Sequence, residues 1–194
     1  MRLVLAGIAG GLAMFIWTSL AHVALPLGQI GISRIPGEGP VLATLHQSIG
    51  EQPGLYYFPW TNMKDSNAMA EESARMKTNP SGILIYRPPG ASAMETGTLV
   101  AEFAKEVIVA LLAAYLLSKT VLSGYWARAG FVAVIGVIAT LTTNLSYWIW
   151  YSFPANYTLA AITTDTVGYA AAGLAIAAVM RRKTGYRPMR AATA

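Results

Sequence analysis

The sequence predicts an all-α integral membrane protein: a four-transmembrane-helix bundle with both termini in the cytoplasm and a small α+β extracytoplasmic cap between helices 1 and 2. Hydrophobic residues make up 55 % of the 194 residues and charged residues only 12 %, so the composition differs from that of ordinary soluble domains. Four long apolar stretches alternate with polar segments. Eight of the fourteen basic residues, and none of the nine acids, lie in the segments on one side of those stretches.

Each apolar stretch is long enough to cross about 30 Å of hydrocarbon as a helix. The expected domains are transmembrane helix 1 at residues 1–25, the cap at 26–98, transmembrane helices 2 to 4 within 99–180, and a basic cytoplasmic tail at 181–194. The later spans are expected at 99–117, 129–150 and 159–180. Helix 1 has a plausible signal-cleavage site, but its apolar run of roughly 23 residues exceeds a signal core and predicts a retained helix.

The basic residues predict the orientation. The positive-inside rule places both termini and the loop at 119–128 in the cytoplasm. We therefore expect a multi-pass protein of the cell membrane, which is the inner membrane with a periplasmic cap if the cell is Gram-negative. The basic residues concerned are Arg2, Lys119, Arg128, Arg181, Arg182, Lys183, Arg187 and Arg190. Among them Arg181, Arg182 and Lys183 are candidates to bind lipid headgroups, although their position is also typical of a stop-transfer anchor.

Several chemistries are excluded by residues that the chain lacks. Without cysteine there are no disulfides, thiol redox centres, iron–sulfur ligands or covalent haem attachments. There is no HExxH, no GxSxG, no phosphate-binding glycine loop and no zinc-ligand spacing. We predict no catalytic residue, no metal site and no cofactor. The basic residues concentrate at helix ends, so the net charge of +5 indicates membrane orientation rather than nucleic acid.

The cap is predicted to contain helices at 40–49 and 66–77 and strands at 55–58 and 83–86. A segment of this size without disulfides is marginally stable alone, so we expect it to rest on the outer end of the bundle. Aromatic residues mark both surfaces and are candidates for a partner interface, with an interfacial aromatic belt as the alternative. They are Tyr56, Tyr57, Phe58 and Trp60 in the cap, and Trp148, Trp150 and Tyr151 at the end of the third span.

Polar residues inside the predicted spans form the most specific pattern. Glu106 lies thirteen residues before Lys119, about 20 Å along a helix, so the two cannot both clear the hydrocarbon. Asp165 lies about 24 Å before Arg181 by the same geometry. Because a buried ion needs a partner or water, we predict one buried polar cluster in the outer half, with Lys105 as the cation for Asp165 or Glu106. Its members are His22, Glu102, Lys105, Glu106, Asn144, Tyr147 and Asp165.

Two interpretations of this cluster remain open: it fixes helix register, or it is a functional polar site. The lack of reaction motifs favours a non-catalytic accessory or assembly subunit of a larger membrane protein complex, with lipids and other membrane subunits, or a second copy of the chain, as partners. A small transporter or channel for protons, ions or a polar solute is the alternative, and an intramembrane enzyme is the third.

Overall fold

The computed structural model describes residues 1–90, 92 and 95–181. Helices account for 69 % of the structure. Within the described part the elements are α1 Arg2–Ser19, α2 Glu38–Ile49, β1 Gly54–Phe58, α3 Ala68–Met76, β2 Gly82–Tyr86, α4 Thr96–Ser118, α5 Tyr125–Tyr151 and α6 Ala155–Val179. A π-helical turn, Leu20–Ala24, continues α1, and a 3₁₀ turn follows at Leu27–Gln29.

Within the part of the chain that the structure describes, three helices are long and apolar enough to cross a membrane, namely Arg2–Ala24, Tyr125–Tyr151 and Ala155–Val179. The chain therefore has the character of a multi-pass membrane protein built as a helical bundle. At 23 residues α4 has a comparable length, but it carries three charged side chains near its start. The fourth span and the positions of the termini stay predictions.

The long helices are arranged in the order α4–α1–α6–α5. α1 packs along both α4 and α6, and α5 packs along α6, whereas α4 and α5 touch at few positions. Glycines permit the close approaches: a Cβ atom on Gly11 of α1 would lie 2.6 Å from the Cα atom of Val107 in α4. A Cβ atom on Gly173 of α6 would lie 2.6 Å from the carbonyl oxygen of Ala129 in α5. These contacts close three edges of the bundle and leave the α4–α5 edge weakly packed.

The apolar core lies toward one end of the bundle and is rich in alanine, which lets helices approach closely. Its buried members are Ala6, Met14, Ala110, Ala113, Ala114, Leu117, Val132, Ala172 and Ile176. Leu3, Leu122 and Met180 pack against it, so the start of α1, the α4–α5 loop and the end of α6 lie together. We call this the basic end, because it carries Arg2, Lys119, Arg128 and Arg181, and the opposite end the cap end.

The cap contains the two predicted helices and the two predicted strands, with shifted bounds. The strands are antiparallel. Side-chain hydrogen bonds join them to the helices: the Tyr86 hydroxyl donates to the carbonyl oxygen of Gly50 at 2.9 Å, and the Tyr57 hydroxyl donates to Glu72 at 2.5 Å. These contacts stabilise the cap where disulfides are absent.

The cap rests on the bundle less than the sequence predicts. Of the described elements between the π-helical turn and α4, the turn Leu27–Gln29 makes the main contact with a long helix, α6. The chain then passes close to Tyr157 at Gly31, where φ is +81° and an added Cβ atom would lie 2.5 Å from the Tyr157 Cβ atom. Among the described residues, the main support of the cap on the bundle therefore lies at residues 27–31.

Candidate functional site

A cavity of about 420 Å³ lies between the four long helices, in the half nearer the cap end. Six of the seven residues of the predicted polar cluster line it: His22, Glu102, Lys105, Glu106, Asn144 and Asp165. The remaining wall consists of threonines and apolar side chains from all four helices. The cavity occupies the region where α4 and α5 are not closely packed.

Three charged residues of α4 form the most tightly paired part of the site. The Lys105 Nζ atom lies 2.8 Å from the Glu102 Oε1 atom and 3.1 Å from the Glu106 Oε1 atom. Glu102 lies about one turn before Lys105 on the same face of α4, whereas Glu106 is the next residue in the chain and is reached by the long, flexible lysine side chain. Lys105 therefore serves the acids of its own helix rather than Asp165.

Glu106 is the most deeply buried of these groups, with only 2 % of its surface exposed. Its second carboxyl oxygen, Oε2, is buried and has no hydrogen-bond partner among the described residues. A buried polar atom of this kind carries a free-energy cost unless something binds it. Glu106 thus offers an unused acceptor at the cavity.

Asp165 on α6 is held by neutral donors from α5. Thr140 Oγ1 donates to Asp165 Oδ2 at 3.3 Å, and Asn144 Nδ2 donates to the same oxygen at 3.5 Å. Asn144 is positioned by a further bond, 3.1 Å long, to the Thr140 carbonyl oxygen one turn earlier. Within the described part of the chain, no lysine, arginine or histidine nitrogen lies within 4 Å of Asp165. Among the described residues, its hydrogen-bond donors are thus one hydroxyl and one amide group.

His22 lies in the π-helical turn that continues α1. Its Nδ1 atom is 2.9 Å from the Thr18 carbonyl oxygen, and a carbonyl can only accept, so Nδ1 carries the proton. In the neutral ring Nε2 is then an acceptor. A second cavity of about 230 Å³ shares His22, Asn144 and Asp165 with the first. Gly28 lies over the ring, because an added Cβ atom would be 2.4 Å from His22 Cδ2.

Tyr147, the seventh predicted member, lies away from the cavity. Its ring stacks on Phe153 with centroids 5.3 Å apart, and 43 % of its surface is exposed. Trp148, Trp150 and Tyr151 continue this exposed aromatic surface at the cap end of α5. Tyr147 follows Asn144 by almost one turn, but it extends past the cavity toward the loop after α5.

The cap aromatics pack and bond within the cap. The Tyr56 and Tyr86 rings contact edge to face, with their centroids 6.3 Å apart. Phe58 and Trp60 are exposed. The hydrogen bond to Glu72, together with partial burial and the nearby charge, raises the pKa of the Tyr57 hydroxyl above its ordinary value. Phe58 and Trp60 are the members that remain available to a partner.

The basic end contains a residue whose role the sequence does not reveal. Arg128 is buried, and its guanidinium donates to the carbonyl oxygens of Leu122 and Met180. It thereby joins the α4–α5 loop to the end of α6. Arg181 is exposed, with its guanidinium 5.7 Å from the Tyr125 ring centroid, and the proposed lipid contacts Arg182 and Lys183 lie outside the described residues.

Sequence reasoning also missed Trp17 and Tyr169. Trp17 Nε1 donates to the Thr164 carbonyl oxygen at 2.8 Å, joining α1 to α6. Tyr169 lines the cavity and crosses Gly136 of α5, where an added Cβ atom would lie 2.3 Å from the Tyr169 Cβ atom. In the sequence, a glycine at position 136 indicates that another helix could approach α5 closely there, but it does not indicate which residue makes the contact.

The chemistry of this site is that of an acceptor-rich pocket. Three carboxyl groups and one amine line it, and the described residues contain no group of three His, Asp or Glu arranged to hold a metal ion. Such a pocket can bind a hydrogen-bond donor or exchange protons. No family model, curated protein or solved structure matches this chain.

Proposed function

We propose that α4 is a fourth membrane span and that both termini lie in the cytoplasm. The exposed surface of α4 is apolar, with Ile108, Leu112 and Leu116 each about half exposed, while its charged residues line the cavity. A helix of this kind crosses a bilayer with its ions turned toward protein. The positive-inside rule supports a cytoplasmic basic end.

Within that topology we propose that the chain is a non-catalytic accessory or assembly subunit of a larger membrane protein complex. One observation supports this most directly: the α4–α5 edge is weakly packed where charged side chains lie at membrane depth. About half of the Lys105 side chain and over a third of the Glu102 side chain are exposed there.

Exposure of these ions to acyl chains is unfavourable. A charged residue at the bilayer centre costs roughly 2.5 to 3.5 kcal/mol even on the lenient insertion scales. A protein surface that covers the α4–α5 edge would separate these charged side chains from the acyl chains and so remove this free-energy cost. We propose that a transmembrane helix from another subunit occupies the edge, with the exposed aromatic residues of α5 and of the cap flanking the contact.

The test is to identify what the chain binds in its native host. The protein would carry a C-terminal tag, be extracted in a mild detergent, and be purified for mass spectrometry. We expect a fixed stoichiometric set of membrane proteins, and loss of that set when a tryptophan replaces Thr143 at the cavity edge. The matched control is Thr142→Trp, because Thr142 is exposed on α5 and does not line the cavity. Recovery of the chain alone, as monomer or homo-oligomer, contradicts the proposal.

A second candidate is movement of protons, ions or a small polar solute, which the unpaired Glu106 Oε2 atom and Asp165 favour. The basic half of the bundle is closed by the alanine-rich core, so a route through one protomer would require rearrangement or a second subunit. In proteoliposomes, transport predicts that Glu106→Gln abolishes flux while the protein stays folded. Normal flux in that variant contradicts a route through Glu106.

A further inference from the structure

The cavity has an imbalance between hydrogen-bond donors and acceptors. Most of its nitrogen donors are already used: Lys105 bonds to Glu102 and Glu106, which leaves one of its three N–H groups, and Asn144 bonds to Thr140 and Asp165. Acceptors remain. The remaining acceptors outnumber the remaining nitrogen donors, so the site suits a ligand that donates hydrogen bonds.

Three acceptors on three different helices define where such a ligand would bind. Among the described residues, Glu106 Oε2 is buried without a hydrogen-bond partner, and the donors to Asp165 are neutral. His22 offers Nε2, because its Nδ1 atom is bonded to the Thr18 carbonyl oxygen. The acidic cluster is thus accompanied by an independent sign of an incomplete site, namely a carboxylate 98 % buried with one oxygen unsatisfied.

Charge and size narrow the ligand class. Three carboxyl groups and one amine favour a cation over a neutral donor. A volume of about 420 Å³ is within the range of small-molecule sites, roughly 300 to 1,000 Å³. The described acids and histidines are not arranged to coordinate a metal ion, so an organic cation fits these observations better.

We propose that the cavity binds a protonated primary amine, whose ammonium group donates to Glu106, Asp165 and His22. An ammonium has three N–H donors, which matches the three acceptors. The amine could belong to an aminophospholipid headgroup entering through the α4–α5 edge or to a soluble amine entering from the cap end. This inference does not depend on a partner subunit and concerns the purified chain alone.

The experiment uses the full-length protein in nanodiscs of phosphatidylcholine, which has no primary amine. Binding of ethanolamine is measured by calorimetry, with choline as the quaternary control. In parallel, native mass spectrometry measures retention of phosphatidylethanolamine from mixed nanodiscs. Saturable ethanolamine binding assigns a soluble amine, and selective retention of phosphatidylethanolamine assigns the lipid.

Variants test whether the named acceptors form the site. Because hydrogen bonds to charged groups are worth about 1.5 to 3 kcal/mol, Asp165→Asn should weaken binding roughly tenfold to a hundredfold. Glu106→Gln should do the same, and Asp65→Asn in the cap is the matched control. Asp165 is exposed to the cavity, so its variant keeps the test informative if Glu106→Gln fails to fold. Absence of amine selectivity over choline, or unchanged binding in Asp165→Asn, overturns the proposal.

Discussion

Arg128 shows how one side chain can join separate elements of the bundle. Its position at the start of α5 is that of an ordinary cytoplasmic anchor, yet it is only 5 % exposed. Its guanidinium donates to one backbone carbonyl oxygen at the end of α6 and to one in the α4–α5 loop. The positive charge also interacts favourably with the carboxyl end of the α6 helix dipole.

We expect Arg128→Met to lower the free energy of unfolding by about 2 to 4 kcal/mol, because hydrogen bonds to charged groups contribute about 1.5 to 3 kcal/mol each. Chemical unfolding in detergent micelles measures the change. The control is Lys119→Met, since the Lys119 side chain is exposed and its Nζ atom lies 5.0 Å from the centroid of the Tyr115 ring. Equal losses in the two variants would contradict the joining role of Arg128.

We expect the stability of the cap to depend on pH through the Tyr57 hydroxyl. Its pKa is raised in the folded chain by the hydrogen bond to Glu72, so the folded state holds the phenolic proton more tightly than the unfolded state. The stabilisation is therefore fully present below the unfolded pKa near 10 and is lost as pH rises through the folded pKa.

An ultraviolet titration of the wild type against Tyr57→Phe isolates this residue. The difference curve should have a midpoint above pH 10, the ordinary tyrosine value, and Glu72→Gln should move that midpoint downward. A difference curve centred at or below the ordinary value would show that the Glu72 contact does not stabilise the protonated phenol.

At the scale of elements, the packing of α1 on α4 depends on glycines at positions 7 and 11. Added Cβ atoms there would lie 2.3 Å from Leu111 and 2.6 Å from Val107, so these two small residues about one turn apart let the helices approach closely. The neighbour at Gly11 is backbone, which cannot move as a side-chain tip can. This contact brings Glu106, one residue before Val107, to face the cavity beside α1.

We expect Gly11→Ala to destabilise the bundle by about 1 to 3 kcal/mol, because overpacking at a helix crossing forces the backbones apart. Gly130→Ala on α5 is the matched control, since an added Cβ atom there has nothing within 4 Å. Alanine also favours helix over glycine by about 1 kcal/mol, so this variant should be neutral or slightly stabilising. Thermal unfolding in detergent compares the two, and similar melting temperatures would refute the close crossing.

At the scale of the whole molecule, the absence of cysteine makes the proposed topology directly measurable. Ser66 in the cap and Ser123 in the α4–α5 loop are both exposed, so each can be replaced by a single cysteine in a separate variant. In intact cells or spheroplasts, a membrane-impermeant maleimide should label Ser66→Cys and leave Ser123→Cys unlabelled until the membrane is opened. Labelling of both would show that α4 does not place these segments on opposite sides.

Some parts of the fold follow from local sequence alone. The helical spans follow from length and apolarity, and the cap helices and strands follow from periodicity and turn residues, because each depends on neighbours only a few positions away. The position of the charged residues along their helices could also be predicted from the sequence. Counting 1.5 Å per residue from Lys119 and Arg181 placed Glu106 and Asp165 below the outer surface, and both line the same cavity.

Which groups pair with which was decided only by the tertiary structure. Lys105 could reach either Glu106 or Asp165 on sequence grounds, and helix packing assigned it to Glu102 and Glu106. The burial of Arg128, the exposure of Tyr147 and the weakly packed α4–α5 edge likewise depend on helix order and rotation. Those arise from contacts between residues far apart in the chain, such as Gly11 with Val107, so periodicity within one helix determines which face is polar but not which helix it meets.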